Sequence, residues 1–302
     1  MRTEASNSDQ IVVSAASPRA KPLFARLPRY AYAGMALNGV AWIASWSHQG
    51  GGFVFFPLWL GFILLLDGLN VARRGTSPLA RGIWRFVAMF LASSLFWWIF
   101  EGLNVPVGNW HYRLDQPYSP LAYFLMASLN FSTVLPAVME VAELLMGTRA
   151  LRPRLALSDP GPRLSLRAAA ALIGLGLVML ALPFLFPRYA FGLIWLCLIF
   201  LFDPINNLAR RKSAFAHALA GDWRFIVALP LAALICGFFW EMWNYPALPK
   251  WFYTVPFINA GPHLFEMPIP GYLGYLPFAV ELFAMYQLLL LALGRREDNL
   301  AF

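Results

Sequence analysis

The sequence predicts an all-α polytopic membrane protein of eight transmembrane helices, arranged as two parallel four-helix repeats. Three observations predict it. The 302 residues are 60% hydrophobic and only 13% charged, against about a quarter charged in soluble domains. Apolar runs near the ~20 residues that cross a bilayer recur along the chain. Rare residue types also return in the same order after about 140 positions, the mark of an internal repeat.

The elements follow in order. Residues 1–29 are rich in Ser, Ala and Arg and lack an apolar core segment. They read as a disordered cytoplasmic tail rather than a signal peptide. The first repeat, 30–147, carries spans at 30–47, 53–72, 84–104 and 119–147. Pro136 predicts a kink in the fourth. The Arg- and Pro-rich stretch 148–166 reads as a cytoplasmic linker. The second repeat, 167–294, carries spans at 167–187, 189–209, 223–243 and 270–293, and 295–302 is a C-terminal tail.

Charge sets the orientation. With these spans, twenty of the 23 Lys and Arg residues fall on one side and three on the other. The positive-inside bias then places both termini in the cytoplasm, and a bacterial inner membrane is the expected location. The basic residues punctuate apolar runs instead of forming one patch, so the net charge of +8 is no nucleic-acid footprint.

The repeat is specific. Asp67, Asn70 and Arg74 match Asp203, Asn206 and Arg210 at an offset of 136. Trp84, Arg85 and Phe86 match Trp223, Arg224 and Phe225 at 139. Glu101, Asn104 and Pro106 match Glu241, Asn244 and Pro246 at 140. Trp110 and Tyr112 match Trp251 and Tyr253 at 141, as Pro136 and Glu140 match Pro277 and Glu281. Four spans per half give both halves the same orientation, related by a pseudo-two-fold along the membrane normal.

Seven of the fifteen acids fall inside spans: Asp67, Glu101, Glu140, Glu143, Asp203, Glu241 and Glu281. An Asp near a helix centre costs at least ~2.5 kcal/mol, so a functional role is the first hypothesis. Asp67, Asn70 and Arg74 share one helix face, and their counterparts share another. Arg74 and Arg210 are the expected structural ion-pair partners, with heads snorkelling to water. Glu101 and Asn104, like Glu241 and Asn244, stand one turn apart. Glu140 and Glu281 follow a proline by four residues. That proline frees a carbonyl able to accept from a protonated carboxyl, which suits a general acid. The same residues also fit plainer roles. The Asp–Asn–Arg faces can be ion pairs that lock helices, and the Glu-x-x-Asn faces helix–helix glue. Glu143, matched by Ala284, reads as a snorkelling boundary residue. Trp97, Trp98, Trp110, Trp240, Trp243 and Trp251 fit an aromatic belt, or a cage for a cation or flat polyene. Half two has an extra Asn207, Pro204 and a long loop through His263 and Phe265–Pro268 that reads as a lid or plug. The active role is therefore expected there.

No cofactor or metal is indicated. Cys197 and Cys236 lie singly in apolar runs and read as buried thiols. His48, His111, His217 and His263 never pair at helical spacing, as a di-iron site requires. Nucleotide-binding motifs are missing from the sequence, and nothing in it fixes an oligomeric state.

The recurring order is an Asp followed by Arg, then an acid among aromatics, then Pro and Glu. Asp67, Glu101, Pro136 and Glu140 carry it, and so do Asp203, Glu241, Pro277 and Glu281. It resembles the membrane-embedded lycopene cyclase domain family of carotenoid biosynthesis. That family's tight Pro-x-Glu-Glu is here Pro136-Ala-Val-Met-Glu140 and Pro277-Phe-Ala-Val-Glu281, and each half has an additional leading helix. The resemblance implies redox-neutral acid–base chemistry on a long isoprenoid or lipid. One carboxylic acid protonates a terminal alkene, aromatic faces stabilise the carbocation, and a second carboxylate removes a proton. Glu241, Glu281, Asp203, Glu101, Glu140 and Asp67 are the candidate catalytic acids. Asn244, Asn206, Asn104, Asn70, Trp240, Trp243, Trp251 and Tyr253 are the candidate substrate contacts. A proton- or cation-coupled transporter, and an assembly protein whose polar residues only specify packing, are the competing readings.

Overall fold

The computed structural model describes residues 22–47, 51–154, 160–295 and 298–300. Most of the expected N-terminal tail, part of the 148–166 linker, and His48 lie outside the described residues. Seven helical stretches among them are long and apolar enough to cross a membrane, against the eight expected. The difference is α1 (Arg29–Trp46), which is helical over the anticipated range. Arg29, Asn38 and Ser45 leave it less apolar than a span standing alone. It lies against α2 (Phe55–Arg74) at glycine contacts, where a Cβ on Gly61 would meet the Asn38 nitrogen at 2.5 Å.

Prolines set two of the breaks. The fourth span is two helices, α4 (Pro120–Phe131) and α5 (Val134–Met146), rather than one kinked helix. Pro136 sits in the first turn of α5. Its ring excludes a helical carbonyl four residues back, at Ser132, so the helix parts there. Ser93, on α3 (Ile83–Val107), mends the gap. Its hydroxyl donates to the Phe131 carbonyl (2.6 Å) and accepts from Leu135 N–H (2.9 Å). Pro277 sits likewise in the first turn of α11 (Tyr275–Ala292), after a 3-10 segment at Ile269–Gly274.

In half two, α6 (Leu166–Leu185) is continuous, but the next span is not. It starts as the short α7 (Pro187–Ala190), runs through a 3-10 segment at Phe191–Trp195, and resumes as α8 (Cys197–Leu208). The expected continuous helix at 189–209 is thus interrupted. Next come α9 (Ala214–Leu219) and α10 (Trp223–Asn244). The core is built where α10 packs between α5 and α11, and α5 also meets α2 and α3.

Two short strands were not anticipated. The Trp-x-Tyr tails form β1 (Trp110–Arg113) and β2 (Lys250–Tyr253), which pair antiparallel. Trp110 faces Tyr253, His111 faces Phe252, and Tyr112 faces Trp251. Matched residues of the two halves thus cross over one another about the His111–Phe252 pair. Two small strands, β3 (His263–Leu264) and β4 (Met267–Pro268), form a hairpin in the long loop.

At the opposite end, each half secures its loop in the same way. Asp67 accepts from the Ser77 hydroxyl (2.8 Å) and Leu79 N–H (2.9 Å). Asp203 accepts from the Ser213 hydroxyl (2.7 Å) and from Ala214 and Phe215 N–H (3.0 and 2.8 Å). Ser77 and Ser213 are again 136 apart.

The expected ion pairs are re-partnered. Arg74 meets Glu143 (3.4 Å), not Asp67. Arg210 adopts φ 59°, turns outward, and donates to the Gly161 carbonyl (3.1 Å). Glu143 does not snorkel. It is fully buried and takes both Arg81 guanidinium nitrogens, at 2.8 and 2.5 Å. Nor is the C-terminal segment free. Asn299 is buried, its carbonyl accepts from Arg81 Nε (2.8 Å), and its side chain accepts from the Tyr286 hydroxyl (2.8 Å).

Candidate functional site

Around the strand pair, each half builds the same carboxylate setting from its Glu-x-x-Asn and Trp-x-Tyr residues. The asparagine comes first. Asn104 donates to the Trp110 carbonyl (2.8 Å) and accepts from Asn109 N–H (2.7 Å). Asn244 donates to the Trp251 carbonyl (2.8 Å) and accepts from Trp251 N–H (2.9 Å). Both amides are thus spent on pinning the strand to its helix, rather than facing a substrate as expected.

The pinned strand then delivers donors to the glutamate. Glu101 Oε1 accepts from the Tyr112 hydroxyl (2.5 Å) and the indoles of Trp110 and Trp97 (both 3.0 Å). Glu241 Oε1 accepts from the Tyr253 hydroxyl (2.6 Å), the Tyr275 hydroxyl (2.8 Å) and the Trp251 indole (3.4 Å). Glu241 is fully buried, and its Oε2 has no hydrogen-bond partner. Hydrogen bonds to a charged acceptor are worth about 1.5–3 kcal/mol each. They offset the burial of Glu241 and the partial burial of Glu101, where an aromatic belt would not.

The third donor differs between halves. At an offset of 140, Trp97 of half one corresponds to Gly237 of half two. Tyr275 corresponds to Val134 at 141. A Cβ on Gly237 would lie 2.6 Å from the Tyr275 ring, so the bare glycine is what admits the phenol.

Two cavities flank the strand pair. The one on the half-two side, about 410 Å³, is walled by Trp97, Trp110, Trp195, Tyr253, Tyr275 and Phe278. Its counterpart, about 110 Å³, takes the matched Tyr112, Trp251, Phe55 and Met126. The unbroken α2 runs beside the small cavity and the broken α7–α8 span beside the large one. Trp59 and Trp195, 136 apart, occupy related places. Trp59 lies on Trp240 (4.9 Å) and Trp195 stacks on Phe100 (5.4 Å).

Both glutamates therefore stand one layer behind the large cavity. Glu101 is reached through the indoles of Trp97 and Trp110, and Glu241 through the hydroxyls of Tyr253 and Tyr275. Tyr253 lies on β2, and burial beside Glu241 holds its hydroxyl pKa above the ordinary phenol range, so it keeps its proton.

The other candidates sit apart. Asn70 donates to the Glu140 carboxylate (2.7 Å) and carbonyl (3.1 Å). Asn206 donates to the Ala284 carbonyl (2.8 Å). Glu281 accepts from Leu198 N–H (3.1 Å) at the start of α8, rather than donating to a carbonyl freed by proline. Asp203, Glu241 and Glu281, all candidate catalytic acids, share no hydrogen-bond partner among the described residues and stand at three separate sites. Trp240 and Trp243 are buried, Trp240 behind Tyr275 (6.2 Å) and Trp243 against Trp59 (4.9 Å). Trp195, Tyr275 and Gly237 stand outside the candidates that the sequence offers. Comparing side-chain size at matched positions exposes the last two.

No family model matches this chain, and neither a curated protein nor a solved structure matches it. The site therefore rests on its own geometry.

Proposed function

We propose that the chain is an integral membrane enzyme of a bacterial inner membrane. It acts on a long isoprenoid or lipid by redox-neutral acid–base chemistry, with the large cavity as its reaction centre. The supporting observation is the pair of unlike walls. A phenol hydroxyl both donates and accepts, so once Glu241 has taken up a proton, Tyr253 and Tyr275 can relay one from it to a bound alkene. An indole N–H only donates. Trp97 and Trp110, tied to Glu101, instead present electron-rich faces to positive charge. A proton added to one alkene carbon gives a carbocation. Loss of a proton from a neighbouring carbon back to Tyr253, Tyr275 and Glu241 restores the enzyme and leaves an isomerised or cyclised product.

In this reading α1 completes an eighth crossing, and the halves are parallel four-helix repeats about the β1–β2 axis. The basic loops and both termini face the cytoplasm, as the Lys and Arg bias requires. Asp67, Asp203, Asn104 and Asn244 are structural. The interrupted α7–α8 span, with buried Glu281 at the start of α8, favours a second reading. Broken helices mark ion sites in transporters, and pH-dependent solute flux in proteoliposomes tests it.

The direct test is the lipid extract of a host that makes linear carotenoids or terpenoids. Wild-type protein should add a product of unchanged mass. Glu241→Gln, and Tyr253→Phe with Tyr275→Phe, should lower it by about 10²-fold or more, the scale of a lost general acid. Unchanged product from stably folded variants, or no product from wild type, removes the enzyme reading.

A further inference from the structure

The mouth of the large cavity lies between two 3-10 segments, Phe191–Trp195 and Ile269–Gly274. Gly192 and Leu273 line the cavity yet are exposed, Leu273 at 65%. Both segments belong to stretches apolar enough to cross a membrane, Pro187–Leu208 and Ile269–Ala292. Large exposed apolar groups stand next to the lining residues in the chain. Tyr189 and Phe257 lie 5.8 Å apart, with the Arg188 guanidinium 5.4 Å over the Phe257 ring, and Ile269 is half exposed. Water is a poor neighbour for such a rim, and lipid a good one. At the far wall, Phe278 is almost completely buried.

We propose that a hydrocarbon chain enters this cavity sideways from the bilayer, between the two 3-10 segments, and reaches Phe278. This rests on the large cavity being the reaction centre and adds the route by which a lipid arrives. Two details fit. A 3-10 segment has weaker hydrogen-bond geometry than an α-helix, so the rim is built from the more pliable parts of both spans. Gly192 has no heavy atom within 4 Å of the place a Cβ would take, which leaves the threshold low. The smaller cavity lies beside the regular helix α2, and at its own 3-10 segment, Gly51–Phe53, a Cβ on Gly52 would meet the Met126 sulfur at 2.6 Å, so the threshold there is closed.

The test is photolabelling of the full chain in phosphatidylcholine vesicles. One arm carries a palmitoyl chain ending in a diazirine, and the other a prenyl chain ending in a benzophenone. Labelled residues are mapped by mass spectrometry. Phe278 should be labelled by at least one chain, and the arm that labels it identifies the source. Gly192→Trp and Leu273→Trp should each lower labelling of Phe278 by about tenfold while leaving the lipid-facing Leu91 and Val178 unaffected. Labelling of Leu91 and Val178 without Phe278 would overturn the proposal. So would labelling of Phe278 that neither variant reduces, or stronger labelling by a water-soluble diazirine. Glu241→Gln should label as wild type does. If it does while the extracts stay unchanged, the route stands and the acid–base reading falls.

Discussion

Gly237 is the residue on which the two halves part. In a helix interior, replacing glycine by alanine ordinarily stabilises by roughly 0.5–1 kcal/mol. Here the new methyl would meet the Tyr275 ring at 2.6 Å and push its hydroxyl from Glu241. Gly237→Ala should therefore destabilise, by about 1–2 kcal/mol once the lost charged hydrogen bond is set against the helix gain. Thermal unfolding in detergent measures it. A double-mutant cycle with Tyr275→Phe should show that the second change adds little, because both remove one bond. Glu241 itself was legible in the sequence as a costly acid in an apolar run. Its partners were not, since a tryptophan that holds a carboxylate and one that sits at a lipid boundary have the same composition and position.

At the scale of elements, the β1–β2 pair is held by two side chains. Asn104→Ala and Asn244→Ala should each cost about 1–3 kcal/mol, the penalty for leaving strand groups unsatisfied. Together they should be non-additive, because the strands lean on each other; denaturant melts of the three variants report this. The loop α9 makes a different prediction. His217 stacks on Phe225 at 4.0 Å and sits 3.2 Å from Asp222. Burial holds its pKa below the ordinary histidine value, despite the opposing pull of Asp222. The unfolded chain then takes up a proton that the folded one resists. Stability is complete above about pH 6.5 and declines as pH falls below it. Wild type should lose more stability than His217→Asn between about pH 7 and 5, read by thermal melts. Span positions were legible to within a few residues because hydropathy sets them. The strands were not, since four residues give too little alternation to read. Nor was the break at 191–195, where no proline interrupts an apolar run.

Over the whole molecule, several buried polar groups act as fasteners that join distant parts. Arg81 of the first half grips both Glu143 and the Asn299 carbonyl near the C-terminus. Arg81→Ala should cost about 3 kcal/mol or more, as for a broken buried pair. Arg81→Met with Glu143→Gln should recover part of it, checked by melting temperature. The matched residue pairs were legible at this scale, but the exchange of contacts between them was not, because matched residues say nothing about which partner they touch. One consequence concerns the order of synthesis. Glu101 leaves the ribosome with Trp97 already one turn ahead of it. Glu241 finds only Gly237 there, and Tyr275 is 34 residues away. At about 5–20 residues per second, that partner follows seconds later. For that interval the acid of the nascent chain is short of one of its three donors, a delay that Glu101 is spared because its own third donor precedes it.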